Sequence, residues 1–171
     1  MSFTIGCDPE VFVLDEHNKV VPAHTLIPGT KKEPYPIDSD GQSILVDGLA
    51  IEFNIKPVPL DDPEQFNFRV DYTLEHIKEK YLKGKGLRLA VTSFAQAVHL
   101  DEPHLANIPE EYTEIGCDPD FNIYNNKQNS YGPSMWRFVG GHFHIGWTAN
   151  ESSSNPEHVI KAQQMIAQLD S

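Results

Sequence analysis

Between Ile51 and Lys56 apolar and polar side chains alternate without a break, Ile51, Phe53 and Ile55 against Glu52, Asn54 and Lys56. That period belongs to a strand with one buried and one open face, and it sets Glu52 and Asn54 together on the open one. The same period runs through Phe3 to Leu14. Phe3, Ile5, Val11 and Val13 share one parity; Asp8, Glu10, Phe12 and Leu14 share the other. Pro9 has no N–H for a ladder, which predicts an edge or a bend at that point. A turn over Asp15 to Lys19 leads to a short return strand at Val20-Val21. Further strands are expected over Leu87 to Phe94, Thr113 to Tyr124 and Arg137 to Trp147. In the last, His142 and His144 fall on one face, and Phe143, Ile145 and Trp147 fall on the other, expected to pack on a core. Asp47-Gly48 reads as a tight turn into the Glu52 strand.

Two stretches carry the helical period. Asp62 caps the first, Pro63 takes its first turn and Glu64 suits its dipole. Phe66, Val70, Leu74, Ile77 and Tyr81 form its apolar stripe, and Gly84 or Gly86 ends it. Asn155-Pro156-Glu157 starts the second, with Val159, Ala162, Ile166 and Leu169 expected inward. Residues 28 to 43, with Pro28, Gly29, Pro34, Pro36 and Gly41, read as a loop carrying the basic spot Lys31-Lys32. Many strands against two helices predict an α+β fold: a curved, mainly antiparallel sheet with helices on one face. The acids and histidines would lie on the other face.

The chain has 171 residues, enough for one domain with a real core. Its net charge of −12 argues against general nucleic-acid binding, which requires a basic footprint. No apolar run is long enough to span a membrane, and the N-terminus carries no secretory pattern. Cys7 and Cys117 are the only cysteines; without a secretion signal they suit a reducing cytoplasm, each as a small buried residue.

Four polar pairs at strand spacing stand out: Asp8 and Glu10, Glu52 and Asn54, Asp118 and Asp120, His142 and His144. Carboxylate oxygens favour Mg²⁺, Mn²⁺ or Ca²⁺, and imidazoles add tolerance for transition metals. Such a set on one sheet face suits a metal–nucleotide site. A Gly-rich P-loop pattern is missing from the sequence, so a P-loop mechanism is not expected.

Gly6-Cys7-Asp8-Pro9-Glu10-Val11-Phe12, Gly29-Thr30-Lys31, Asp47-Gly48 with Glu52-Phe53-Asn54, Gly116-Cys117-Asp118-Pro119-Asp120-Phe121, and Gly140-Gly141-His142-Phe143-His144-Ile145-Gly146 follow one another in that order. In this the chain resembles the phage-type carboxylate–amine ligases, the phiEco32-like amidoligase type 2 group. The resemblance implies a glutamine synthetase-like catalytic half within a single domain over 1–171. It also implies ATP- and Mg²⁺- (or Mn²⁺-) dependent amide or peptide bond formation through an acyl phosphate. Asp8 and Glu10 match the paired-acid strand that holds Mg²⁺. Glu52 matches a further metal acid, and His142 and His144 match the histidine strand near metal and phosphate. Those five are the implied metal ligands. Lys31, Arg137 and His144 are the implied ATP contacts, and Glu52 and Arg137 the implied catalytic pair.

Members of the group continue well past the histidine strand, and the resemblance therefore implies that 1–171 lacks the family's C-terminal segment. Its substrates would be a small-molecule or peptide carboxylate and an amine, met in the cytoplasm, the host's if the chain is phage-encoded. A second copy or a partner chain would complete the site. Two other readings stay open: a non-catalytic phage accessory or virion-associated protein that keeps the fold, and a metal-dependent amide hydrolase.

Overall fold

The alternating stretch around Glu52 becomes the longest strand of the fold. The computed structural model describes residues 3–90, 94–96, 108–109, 112, 121–122, 127–128, 136–147 and 155–169. The strands in chain order are β1 (Phe3–Cys7), β2 (Glu10–Val11), β3 (Val13–Leu14), β4 (Val20–Val21), β5 (Tyr35–Pro36), β6 (Ser43–Asp47) and β7 (Ala50–Pro59). After helix α1 (Pro63–Ile77) come β8 (Arg88–Leu89), β9 (Phe94–Gln96), β10 (Phe121–Asn122), β11 (Lys127–Gln128), β12 (Trp136–Phe138) and β13 (Phe143–Trp147), then helix α2 (Pro156–Leu169). The main sheet has six strands in the order β13-β1-β7-β6-β5, with β2 also paired to β7. Every strand pairing between these elements is antiparallel. Among the described residues the fold is α+β with mostly antiparallel sheets and two α-helices, as the patterning predicts.

The apolar side chains decide which way β7 faces. Ile51, Phe53 and Ile55 are buried, joined by Cys7, Ile44 and Val46 of the neighbouring strands and by Ile77, Tyr81 and Leu82 at the end of α1. Each of the three contributes roughly 1.5–3 kcal/mol by burial. Flipping the strand by one residue would forfeit all three and bury Glu52, so the register is strongly specified. A bulge in β7 carries the core face further. Ile5 pairs with Val58 and Cys7 with Ile55, so two β7 residues, Lys56 and Pro57, oppose Gly6 alone. Pro57 has no N–H to contribute there, and the extra residue turns Val58 back to the inside, where it is 1% exposed.

α1 starts as its sequence implies: the Asp62 carboxylate accepts from the Gln65 N–H at 3.0 Å, with Pro63 in the first turn. Phe66, Val70 and Leu74 pack against the core from this helix. A π-type turn over Lys78–Leu82 closes it before Gly84 and Gly86, both at positive φ.

Several expectations change. The strand expected over Leu87 to Phe94 is two strands, β8 and β9, in different sheets. The 28 to 43 loop contains β5 and a parallel bridge from Thr30 to Val46; both depend on β6, which local patterning cannot show. On the back of the histidine strand, Phe143 is not core. Phe143 is 68% exposed and meets Phe66 at a ring-centroid distance of 6.3 Å. Among the described residues β13 is the outermost strand on its side, while α1 lies against β7. α2 begins at its local signals, the Asn155 side chain accepting from Glu157 N–H at 3.0 Å. Its Val159 and Ile166 nevertheless stay 43% and 46% exposed. A cap acts within one turn, whereas burial needs a facing surface. Most of the expected 113 to 124 strand, with Cys117, Asp118 and Asp120, lies outside the described residues. Cys7 is a buried free thiol, its pKa pushed up to about 11 by burial and by the Asp8 charge.

Candidate metal centre

The site follows from register. Glu10 pairs directly with Glu52, and Glu52 in turn with Leu45. Beyond the end of β1 the ladder carries on: Asp8 N–H donates to the His142 carbonyl at 3.2 Å, and Glu10 N–H to the Gly140 carbonyl at 2.8 Å. Two adjacent rows thus cross one face of the sheet. One runs Ser43, Asn54, Asp8, His142; the other runs Leu45, Glu52, Glu10, Gly140. Neighbouring strands stand about 4.8 Å apart, so side chains along a row are in reach of one another. Gly141 makes the second crossing fit. A Cβ there would lie 2.9 Å from Pro9 Cα, so only glycine lets the histidine strand come this close.

In the middle of the second row, and from the Asp47–Ala50 pair next to it, three carboxylates converge. Oxygens of Glu10, Asp47 and Glu52 all lie within 4.8 Å of one another. Asp47 is 7% exposed and the other two are partly buried. Burial, and after it the charges of Asp47, Asp8 and Glu10, push Glu52 up to about 7, against a smaller opposing pull from Lys31. Glu10 is also raised, first by burial and then by the charge and hydrogen bond of Asp47, although the Gly140 N–H at 3.1 Å opposes this. Lys31 reaches the group from the loop, its Nζ 2.9 Å from Asp47 Oδ2.

Beside this group, Asp8 holds both histidines. Its Oδ1 accepts from the His142 N–H at 2.8 Å and lies 3.4 Å from that ring's Nδ1; its Oδ2 is 3.0 Å from His144 Nε2. Burial would raise the Asp8 carboxyl, but the His144 hydrogen bond and the His142 amide outweigh it and hold it below the ordinary carboxylate range. A carboxylate on one ring nitrogen fixes the tautomer and leaves the other nitrogen of a neutral imidazole its lone pair, the usual support for a metal-binding histidine. The His142 and His144 ring centroids are 6.4 Å apart.

The sheet therefore gathers Asp8, Glu10, Glu52, His142, His144 and Lys31 into one region. Arg137 stands on β12 in a separate two-stranded sheet, paired with Ala95. Asp47 is the residue that sequence reasoning passes over as a metal acid. It reads there as a turn residue, whereas it ends β6 and pairs with Ala50 across the two-residue loop Gly48-Leu49. Counting a two-residue hairpin loop back from Ala50 would have placed it on the Glu52 face.

The donor set fits a hard divalent cation. Metal–oxygen bonds of about 2.0–2.6 Å allow one ion to reach three oxygens so spaced, and its charge would relieve the repulsion that raises Glu52. For ATP, Lys31 is the cation shown at the carboxylates among the described residues, and it is paired with Asp47. No family model, curated protein or solved structure matches the chain, so the amidoligase resemblance stands on its motifs. No helix among the described residues is long and apolar enough to cross a membrane.

Proposed function

We propose that the chain is an ATP- and Mg²⁺-dependent carboxylate–amine ligase that forms an amide or peptide bond through an acyl phosphate. The observation that carries the reading is the convergence of Glu10, Asp47 and Glu52 beside the Asp8–His142–His144 group on one sheet face. A site of hard oxygen donors flanked by oriented imidazoles suits Mg²⁺ or Mn²⁺. When bound, the ion supplies positive charge to phosphate oxygens and aligns the transferring group.

The protein's own residues then have separable tasks. Glu10, Asp47 and Glu52 hold the ion. Asp8 orients the two imidazoles. Lys31 is the candidate phosphate contact within the group, and Arg137 the candidate beyond it. Phosphoryl transfer relies on positive charge around the moving group, and two side chains are few for that work. A second copy or a partner chain supplying further cations is part of the proposal. Small-molecule or peptide carboxylates and amines are the proposed substrates, and the cytoplasm, where ATP is plentiful, the proposed place of action.

The test has two stages. Calorimetry with Mn²⁺ on the full chain should show binding that Glu10→Gln weakens at least tenfold. ADP release with Mg²⁺, ATP and a panel of carboxylates should then depend on an added amine. Absence of Mn²⁺ binding, or binding indifferent to Glu10→Gln, removes the basis of the reading. Amide cleavage without ATP would assign the site to a metal-dependent hydrolase. Firm assembly with virion proteins and no nucleotide affinity would assign the chain an accessory role.

A further inference from the structure

The loop that carries Lys31 is built to deliver it. Gly29 sits at φ +94°, and a Cβ on it would fall 2.4 Å from the Ile44 carbonyl oxygen and 2.9 Å from Tyr35 N. That pins the loop against β6 with a residue only glycine can supply. The Gly29 carbonyl accepts from Val46 N–H at 3.2 Å, and Thr30 bridges to Val46. Thr30 and Glu33 then close a tight turn through reciprocal backbone bonds of 3.0 and 3.1 Å. Lys31 is the second residue of that turn, directly after Thr30, and Asp47 is the residue after Val46. The loop anchor and the ion pair are thus one residue apart on each strand.

The ammonium serves more than one acid. Its Nζ is 2.9 Å from Asp47 Oδ2, and its charge also favours the ionised forms of Glu10 and Glu52. The Asp47 side chain is 6% exposed, while Lys31 is 45% exposed. The acid is therefore fixed in place, and the cation reaches it on a flexible stem with water at its back. One of the two Asp47 oxygens, Oδ2, is thus held by the ammonium, whose positive charge opposes that of an arriving metal ion.

We infer that Lys31 is the resident cation of the Glu10–Asp47–Glu52 group, held against Asp47 until a divalent ion displaces its ammonium. The inference rests on the metal reading of the site given above. Displacement is open to Lys31 because it can swing into solvent without leaving the loop. Its stem keeps the freed ammonium near the ion, where an anion brought by that ion would meet it. One residue then stabilises the empty site and contacts the anion in the loaded one. Arginine would hold the group too, since its charge never leaves it. A neutral side chain would leave three acids facing one another.

The experiment uses the full chain as wild type, Lys31→Met, Lys31→Gln and Lys31→Arg, with Mn²⁺ alone as the probe. Calorimetry should show the two neutral variants binding Mn²⁺ about tenfold more tightly than wild type, about 1.4 kcal/mol, with Lys31→Arg close to wild type. Thermal melts in chelator should show the neutral variants less stable than wild type, and saturating Mn²⁺ should remove the deficit. Lys31→Gln stands in if Lys31→Met does not fold. Wild-type binding with neutral variants equal or weaker overturns the inference and leaves the metal site standing. No binding by wild type or any variant overturns the metal reading itself.

Discussion

Glu52 offers a test that needs no ligand. Its carboxyl is pushed from 4.5 to about 7 by burial and by the charges of Asp47, Asp8 and Glu10. A carboxyl whose folded pKa lies above its unfolded one binds its proton more tightly in the folded state. Its stabilising contribution is full below pH 4.5 and is lost as pH rises through about 7, with no further change above. At about 1.4 kcal/mol per pH unit the separation corresponds to roughly 3 kcal/mol, and solvent screening of a half-exposed carboxylate reduces that to roughly 1–2 kcal/mol. Glu52→Gln keeps the shape and removes the charge. In chelator, the variant should match wild type near pH 4 and exceed it by about 1–2 kcal/mol at pH 8. Urea denaturation at several pH values between 4 and 8 reads the difference directly, and taking it against wild type cancels most of the titration of Asp8 and other carboxyls. A stability difference that stays constant across that range would refute the argument, because it would mean that Glu52 ionises in the fold as it does in the unfolded chain.

Two further perturbations address the frame of the site. Asp47→Asn removes a proposed metal ligand that is 7% exposed and should weaken Mn²⁺ binding by about tenfold to a hundredfold; unchanged affinity in calorimetry would take Asp47 out of the group. Gly29→Ala forces a side chain into φ +94° and onto the Ile44 carbonyl, and should cost at least about 2 kcal/mol in a denaturant titration. A loss under about 0.5 kcal/mol would show that the loop relaxes freely, and with it the delivery of Lys31.

The fold was legible where one face of an element is strongly apolar. Ile51, Phe53 and Ile55 announce β7, and Phe66 to Tyr81 announce α1, because burial sets those patterns and burial is written residue by residue. Short elements were not legible. β5 is Tyr35–Pro36, two exposed residues whose strand character comes from pairing with Ile44 and Ser43. β8 and β9 look continuous in sequence but pair with β3 and β12 respectively. Such pairings are decided by what lies alongside, and local preference carries little information about them. The exposed apolar residues of α2 and β13 make the same point from the other side: periodicity states which side chains share a face, not whether anything covers it.

At the site, parity found Asp8, Glu10, Glu52, His142 and His144 but could not say how they divide. That division comes from two long-range registers, Glu10 with Glu52 and the run from Gly6 opposite His144 to Glu10 opposite Gly140, and from one tight hairpin that pairs Asp47 with Ala50. They put Asp8 between the histidines and the other acids, so that it orients imidazoles, and they bring in Asp47 as the third carboxylate. The residue that parity undervalued is also the most buried acid of the three. A buried carboxylate is costly without a partner, and Lys31 is one partner of Asp47. Its loop lies next to Asp47 only because Gly29 permits the close approach to β6. The chemistry of the centre thus depends as much on where two glycines, Gly29 and Gly141, let backbones meet as on the acids themselves. A substitution at either should reach the carboxylates without touching one.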